Sequence, residues 1–181
     1  NRLASNSLME CLVFARQMSS IDLISASRKL INDFPKNPEK CHLELTKNLN
    51  HKVLANNIES LRYLMWREAG VDRSVDGMKK ALKLIRRNLD NLNKEPLLEF
   101  IRTQKPDQCN SFEENIRRDV NLLLDLNHRQ ITSLLMLEAC LFRKESRGGH
   151  FRSDAPSKLP YWQCHSRQKL GEEIFTRQVN C

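Results

Sequence analysis

Apolar side chains recur every three or four residues along much of the chain, which is the period of an amphipathic helix. Between Lys52 and Ala69 they mark one helical face: Leu54, Ile58, Leu61 and Met65. Gly70 follows at the position of a helix C-cap. The pattern predicts a helix over residues 52–69.

The next stretch has the most regular spacing. Ser74 is a suitable N-cap and Gly77 falls in the first turn behind it. The apolar positions then step by four and three residues: Met78, Leu82, Ile85, Leu89 and Leu92. A stripe of this kind is buried by partner helices, so these residues are predicted to form core and not a cofactor site.

Two further helical faces follow a less regular connection that contains Pro96 and Pro106. The first face comprises Phe112, Ile116, Val120 and Leu123, and the last comprises Ile131, Leu134, Leu137 and Leu141. Three or four helices with short connections predict an all-α protein, an antiparallel three- to four-helix bundle.

The two ends of the chain differ from this middle. A helix is predicted from Ser7 to about Met18, with Ser5, Asn6 or Ser7 as N-cap, and its apolar run extends towards Phe34. The stretch PKNPEK is typical of a linker or an element boundary. After Gly148 the helical pattern stops, and the polar segment that follows predicts an irregular, extended tail.

Composition bounds the class of protein. The 181 residues are 40% hydrophobic and 29% charged, which is typical of a folded globular chain. No apolar run approaches the roughly 20 residues that span a bilayer, so no transmembrane helix is predicted. The first apolar run contains Glu10, which argues against a signal peptide.

The net charge of +8 raises the possibility of nucleic-acid binding. A basic but solvated surface is the better interpretation, because Lys and Arg alternate with acids and the chain has only two Tyr and two Trp. The six Cys are irregularly spaced, which favours free thiols, and adjacent Cys-His pairs have the wrong spacing for zinc. Neither nucleic acid nor a metal is predicted as a ligand.

Motifs of catalysis are missing from the sequence. The five Gly cannot build a dinucleotide fingerprint or a P-loop, and no HExxH or Ser-His-Asp pattern is evident. By motif alone, the chain is not a complete enzyme.

Three segments nevertheless carry a specific resemblance. They are NRLASNSLME at residues 1–10, LMWREAGVDRSVDGMKKAL at 64–82 and RKESRGGHFRSDAP at 143–156. In order and spacing they resemble the L-aspartate oxidase branch of the succinate dehydrogenase and fumarate reductase flavoprotein family, over essentially the whole chain. Met9, Gly149 and Ala155 depart from the usual Leu, Ala and aromatic residue of the family.

This resemblance implies a C-terminal fragment of a longer flavoprotein, which fits a first residue other than Met. Residues 1–22 would be the end of the FAD-binding domain and 23–52 a linker. Residues 53–148 would be the spectrin-like C-terminal bundle, and 149–181 a tail packed on the bundle or on the flavin domain.

The resemblance also assigns residue roles. Ser7 and Leu8 would contact FAD at a helix N-terminus, whose positive dipole end favours reduced flavin. Arg2 would grip a substrate carboxylate with its guanidinium fork. Taken without the resemblance, Ser7 is an ordinary helix cap and Arg2 an ordinary surface arginine.

The charged loop after the last helix contains Glu145, Arg147, His150, Arg152 and Asp154. It is either a catalytic loop or a salt-bridge network that pins the bundle to the flavin domain. The second interpretation is favoured, because the family's acid–base residues match nothing in this sequence. No catalytic residue is therefore predicted.

The function implied for the full-length protein is FAD-dependent oxidation of L-aspartate to iminoaspartate, with oxygen or fumarate as electron acceptor. It would be cytoplasmic and begin NAD biosynthesis, with quinolinate synthase acting next, and the fragment alone would be inactive. One alternative is a succinate dehydrogenase or fumarate reductase flavoprotein, with an iron–sulfur subunit and a membrane anchor as partners. The other is a free-standing basic helical adaptor for an acidic partner.

Overall fold

The computed structural model describes residues 6–22, 39–40, 49–104 and 110–179. Five α-helices lie in these ranges: α1 Asn6–Met18, α2 His51–Ala69, α3 Val75–Leu92, α4 Pro96–Thr103 and α5 Glu114–Phe142. The strands are short: β1 Glu39–Lys40 pairs in parallel with β2 Asn110–Ser111, and β3 Cys164–Arg167 pairs antiparallel with β4 Phe175–Gln178. The all-α fold class is confirmed.

The bundle has two clusters of core residues. The junction core joins the second half of α2 to α3 and the second half of α5: Leu61, Ala69, Met78, Ala81, Leu82, Ile85, Leu89 and Leu137. The distal core joins the first halves of α2 and α5 to α4: Leu54, Ile58, Leu97, Leu98, Val120, Leu123 and Leu126.

The direction of the helices follows from these clusters. Along the chain, α2 and α5 each pass from the distal core to the junction core, whereas α3 begins in the junction core and ends with Leu92 against the distal core. Helix α3 is therefore antiparallel to both α2 and α5. This up-down-up order confirms the antiparallel bundle.

The predicted stripe of α3 is the centre of the junction core. Met78 and Ile85 are completely buried, and Leu82 and Leu89 nearly so. The Oγ atom of Ser74 accepts a hydrogen bond from the N–H of Gly77 at 3.2 Å, which confirms the predicted cap. The stripe and its cap together fix where α3 begins and which face it buries.

Gly70 ends α2 because no side chain fits there. A Cβ atom at this position would collide with the carbonyl oxygen of Trp66. Any side chain at position 70 would therefore force the turn between α2 and α3 to shift.

Two details of the helices differ from the sequence-based prediction. Apart from Phe112, which precedes it, the residues of the two faces predicted after Pro106 belong to one 29-residue helix, α5, because no Gly or Pro interrupts residues 114–142. Pro96 does not merely mark a connection but begins α4, since a proline at the start of a helix loses no hydrogen bond.

The tail contains the β3–β4 hairpin, which the sequence did not predict. All four residues of β4 are exposed, so no alternation of buried and exposed side chains marks the strand. Gly171, with φ of 81°, lies in the connection between the strands, in the left-handed region that favours glycine.

Helix α1 confirms the prediction for residues 7–18, and its continuation towards Phe34 lies outside the described residues. Every described side chain from Cys11 to Asp22 is exposed. None of the described helices combines the length and apolar content needed to cross a membrane.

Candidate functional site

The five charged residues predicted in the loop after α5 lie together at one end of the bundle. We call residues 143–162 the junction loop, because they meet the C-termini of α2 and α5 and the N-terminus of α3. The geometry of the loop decides between the catalytic and the structural interpretation of these residues.

Glu145 is the most buried charge of the junction loop, with no exposed surface. Its Oε1 atom accepts hydrogen bonds from Arg143 Nη1 and Arg147 Nε, both at 2.7 Å. Its Oε2 atom accepts the N–H of Leu159 at 2.8 Å. The hydrogen bond from Arg147 outweighs the effect of burial and lowers the pKa of Glu145 to about 2. Glu145 is thus a carboxylate at neutral pH.

Arg152 is 4% exposed and closes the C-terminus of α5. Its Nη1 atom donates to the carbonyl oxygens of Arg143 at 2.9 Å and of Leu141 at 3.3 Å. The last carbonyls of a helix have no partner within the helix, and a cation there also matches the negative end of the helix dipole. Arg152 provides both the hydrogen bonds to these carbonyls and the positive charge.

Asp154 closes the N-terminus of α3, where an anion accepts a hydrogen bond from a free backbone N–H group. Its Oδ1 atom accepts the N–H of Val75 at 3.0 Å and the Nε–H of Arg152 at 3.2 Å. The hydrogen bond from Arg152 lowers the pKa of Asp154. A single ion pair therefore connects the C-terminus of α5 with the N-terminus of α3.

His150 is buried between three arginines. Its Nδ1 atom lies 3.0 Å from Arg73 Nη1, which can only donate, so the ring proton is on Nε2 and points to the carbonyl oxygen of Arg143 at 3.4 Å. Burial lowers the pKa of His150, and the charges of Arg73, Arg152 and Arg143 lower it further. The imidazole is therefore neutral at pH 7.

Arg73 brings the end of α2 into the same arrangement. Its Nε atom donates to the carbonyl oxygen of Ala69, the last residue of α2, at 3.1 Å. Its own carbonyl accepts the N–H of Ser153 at 2.9 Å. The sequence pattern did not indicate this role, although Arg73 lies in the second of the segments that carry the family resemblance.

Trp162 closes the outer side of the loop. Its ring meets that of Phe142 edge-on at 5.4 Å, and the guanidinium of Arg143 lies 5.2 Å from the Trp162 ring centroid. Arg143 also donates to the carbonyl oxygens of Trp162 and Cys164 at 2.9 and 2.7 Å. Arg143 thus joins α5 to the start of the hairpin, a second role that the sequence pattern did not indicate.

These contacts support the structural interpretation of the junction loop. Glu145 is ionised and enclosed, so it has no proton to give, and both ring nitrogens of His150 face protein groups. Such residues are poorly placed as a general acid or base at neutral pH. The ion pairs and hydrogen bonds of the junction loop join helix ends within the bundle. The predicted contact of this loop with a flavin domain stays a prediction.

The remaining predicted site residues lie at the start of the chain. Ser7 and Leu8 fall in the first turn of α1, where the backbone N–H groups have no partner within the helix. Arg2 lies outside the described residues. Among the described residues, no group of three or more His, Cys, Asp or Glu side chains is arranged to hold a metal ion.

Comparison with known proteins defines the class to which this bundle belongs. The family profile described as fumarate reductase flavoprotein C-term matches residues 58–178. The chain therefore belongs to the C-terminal family of fumarate reductase flavoproteins, as its three sequence segments indicated. This membership favours the flavoprotein interpretation over a free-standing adaptor.

Several curated relatives are L-aspartate oxidases. Those of Nostoc sp. and Synechocystis sp. are 32% and 31% identical, each over 92% of this chain and over 29% and 30% of their own lengths. The enzyme of Pseudomonas aeruginosa is 28% identical over 88% of this chain and 26% of its own length. The chain thus spans only between 26% and 30% of the lengths of these three relatives.

Proposed function

We propose that this chain is the C-terminal part of an FAD-dependent L-aspartate oxidase. The observation that carries the proposal is the alignment of L-aspartate oxidases over 92% of the chain, together with the flavoprotein family match. The bundle, residues 53–148, would serve as the domain that packs beside the flavin-binding domain, and residues 1–22 as the end of that domain.

The residues present at the start of the chain fit a flavin. Helix α1 begins at Asn6, so the N–H groups of Ser7 and Leu8 lie in its unpaired first turn. We assign these two residues to FAD, since the positive end of a helix dipole favours the negative charge of a reduced isoalloxazine ring. When bound, FAD would accept a hydride from the α-carbon of L-aspartate, and iminoaspartate would be the product.

Arg2 would hold the substrate. A guanidinium binds a carboxylate through two parallel hydrogen bonds, which fixes the orientation of a dicarboxylate such as L-aspartate. The electrons would pass to oxygen, giving hydrogen peroxide, or to fumarate, giving succinate. The enzyme would act in the cytoplasm at the start of NAD biosynthesis, before quinolinate synthase.

A second candidate function is supported by the family description, which names fumarate reductase. In that case the full-length protein would interconvert succinate and fumarate, with an iron–sulfur subunit as partner. Arg2 would bind a substrate carboxylate in both cases. The two candidate functions are therefore distinguished by which substrate reacts and not by the role of Arg2.

The test is the visible spectrum of the intact open reading frame without oxygen. Loss of the oxidised flavin band on addition of L-aspartate, but not of succinate, supports the oxidase. Reduction by succinate alone supports the second candidate, and a colourless protein contradicts both.

Arg2→Leu should then weaken the reaction with L-aspartate by about a hundredfold or more, because a misplaced substrate reacts much more slowly. Arg16→Leu is the matched control, since Arg16 is an exposed arginine in the last turn of α1. Equal effects of the two variants would contradict the assignment of Arg2.

A further inference from the structure

One exposed patch on the bundle is unusual for a solvated helix surface. Tyr63, Trp66 and Val71, which we call the aromatic patch, are 64%, 72% and 77% exposed. The guanidinium of Arg67 lies over the Tyr63 ring at 5.5 Å from its centroid. Tyr, Trp and Arg are the side chains that most often dominate the binding energy of protein interfaces.

The patch lies at the C-terminal end of α2 and in the turn that follows this helix. Earlier on the same helix most of the exposed residues are polar, among them Lys52, Asn56 and Glu59, and Val53 is the apolar exception. The patch begins where α2 approaches Gly70 and Arg73, which is the end of the bundle that carries the junction loop. The large exposed side chains therefore adjoin the loop for which a contact with the flavin domain is predicted.

The charges beside the patch are balanced. Arg67 Nε lies 2.6 Å from Glu68 Oε1, and Arg62 Nη1 lies 2.8 Å from Glu59 Oε1. With these cations paired, the patch has no excess positive charge to attract a nucleic acid or another polyanion. Its chemistry fits an apolar protein surface.

The comparisons indicate where that protein surface comes from. The chain spans 29% of the Nostoc relative, so the other 71% of such a polypeptide is available to cover an exposed surface of this domain. We infer that the aromatic patch is the surface on which the flavin-binding part of the same polypeptide packs. This inference rests on the proposed function, which supplies the identity of the covering domain.

Hydroxyl-radical footprinting of the intact, flavin-loaded protein tests the inference, because the chain carries its own internal standard. Trp66 and Trp162 are the same residue type, with exposed fractions of 72% and 9% in this structure, a ratio of 72/9 or about eight. If the patch is covered, the two tryptophans are oxidised at rates within about twofold of each other, since a packed interface excludes water. If Trp66 is oxidised about eight times faster than Trp162, the inference is overturned.

A substitution gives the second measurement. Trp66→Lys places a charge in the covered surface, so the oxidation rate of Tyr63 should rise while the variant still folds, because Trp66 is not part of either core. Val53→Lys is the control, since Val53 is a 53% exposed apolar residue of α2 outside the patch. An unchanged rate at Tyr63 in Trp66→Lys, or an equal rise in both variants, overturns the inference.

The outcomes separate the two proposals. A yellow protein that L-aspartate reduces, but in which Trp66 is oxidised freely, overturns the packing surface and leaves the proposed function in place. A protein that binds no flavin overturns the proposed function. Protection of Trp66 that disappears on dilution shows that a second copy covers the patch, and this also overturns the inference.

Discussion

Glu145→Gln offers the most informative test of the junction loop. The substitution keeps the shape of the side chain but removes the charge that Arg143 and Arg147 share. Removing one member of a buried ion pair destabilises a protein by about 3–5 kcal/mol, because the remaining charge is buried without compensation. Arg143 is 15% exposed and keeps two carbonyl acceptors, whereas Arg147 is 34% exposed and reaches water. We therefore expect a loss near the lower limit, about 3 kcal/mol.

The assay is urea denaturation of the wild type and the variant at a series of pH values. The pKa of Glu145 is lowered to about 2 in the folded state, below its ordinary value near 4.5, so its charge stabilises the fold above pH 4.5. This contribution is lost as the pH falls from about 4.5 to about 2. The difference in free energy of unfolding between wild type and variant should reach its full size at neutral pH. It should decrease between about pH 4.5 and about pH 2, as Glu145 of the wild type becomes protonated.

Glu59→Gln is the matched control. Glu59 forms an ion pair with Arg62 in which the side chains are 68% and 64% exposed, so its loss should cost about 1 kcal/mol or less. The reasoning is refuted if Glu145→Gln is as stable as Glu59→Gln at neutral pH, or if the difference in stability does not depend on pH.

Three further substitutions test other parts of the bundle by denaturation. Gly70→Ala should lower the free energy of unfolding by about 1–3 kcal/mol, because the new Cβ would meet the carbonyl oxygen of Trp66, and unchanged stability would contradict the close approach. The free energy of unfolding of the wild type should fall as the pH drops below about 6.5, because the lowered pKa of His150 makes its protonation unfavourable only in the folded state. His150→Gln should remove this part of the pH dependence, and a variant with the wild-type pH dependence would refute the reasoning. Ile85→Ala should cost about 2–5 kcal/mol, since Ile85 is completely buried in the junction core. Val53→Ala, at an exposed position of α2, should cost about 0.5 kcal/mol or less, and equal losses in the two variants would argue against the assigned core.

The helices were predictable because their apolar periodicity is strong. The stripe from Met78 to Leu89 and its Ser74 cap are local features, and each is visible within a few residues of sequence. The length of α5 was missed because two faces of one helix look like two helices when no contact information is available. The β3–β4 hairpin was missed because its exposed strands bury no alternating side chains.

The composition of the charged loop was predictable from the sequence, but the hydrogen-bond partners of its residues were not. The sequence placed five charged or polar residues close together and favoured a salt-bridge network. It did not reveal that Arg152 and Asp154 bind the ends of two different helices, since the partner of Asp154, Val75, is 79 residues away in sequence. Arg73 was missed for the same reason: its contact with His150 spans 77 residues.

That long separation has a consequence for the order in which the chain can fold during synthesis. The ends of α3 and α5 receive hydrogen bonds from Asp154 and Arg152, and Arg73, which closes α2, is itself contacted by His150. These three residues of the junction loop leave the ribosome only after all three helices have been made. A nascent chain stopped before residue 143 would hold the core side chains of the bundle but lack the hydrogen bonds that Arg152 and Asp154 make to the ends of α5 and α3. The junction loop is thus the last part of the bundle to make its contacts. The bundle should resist proteolysis on the ribosome only once the residues up to Trp162 have emerged.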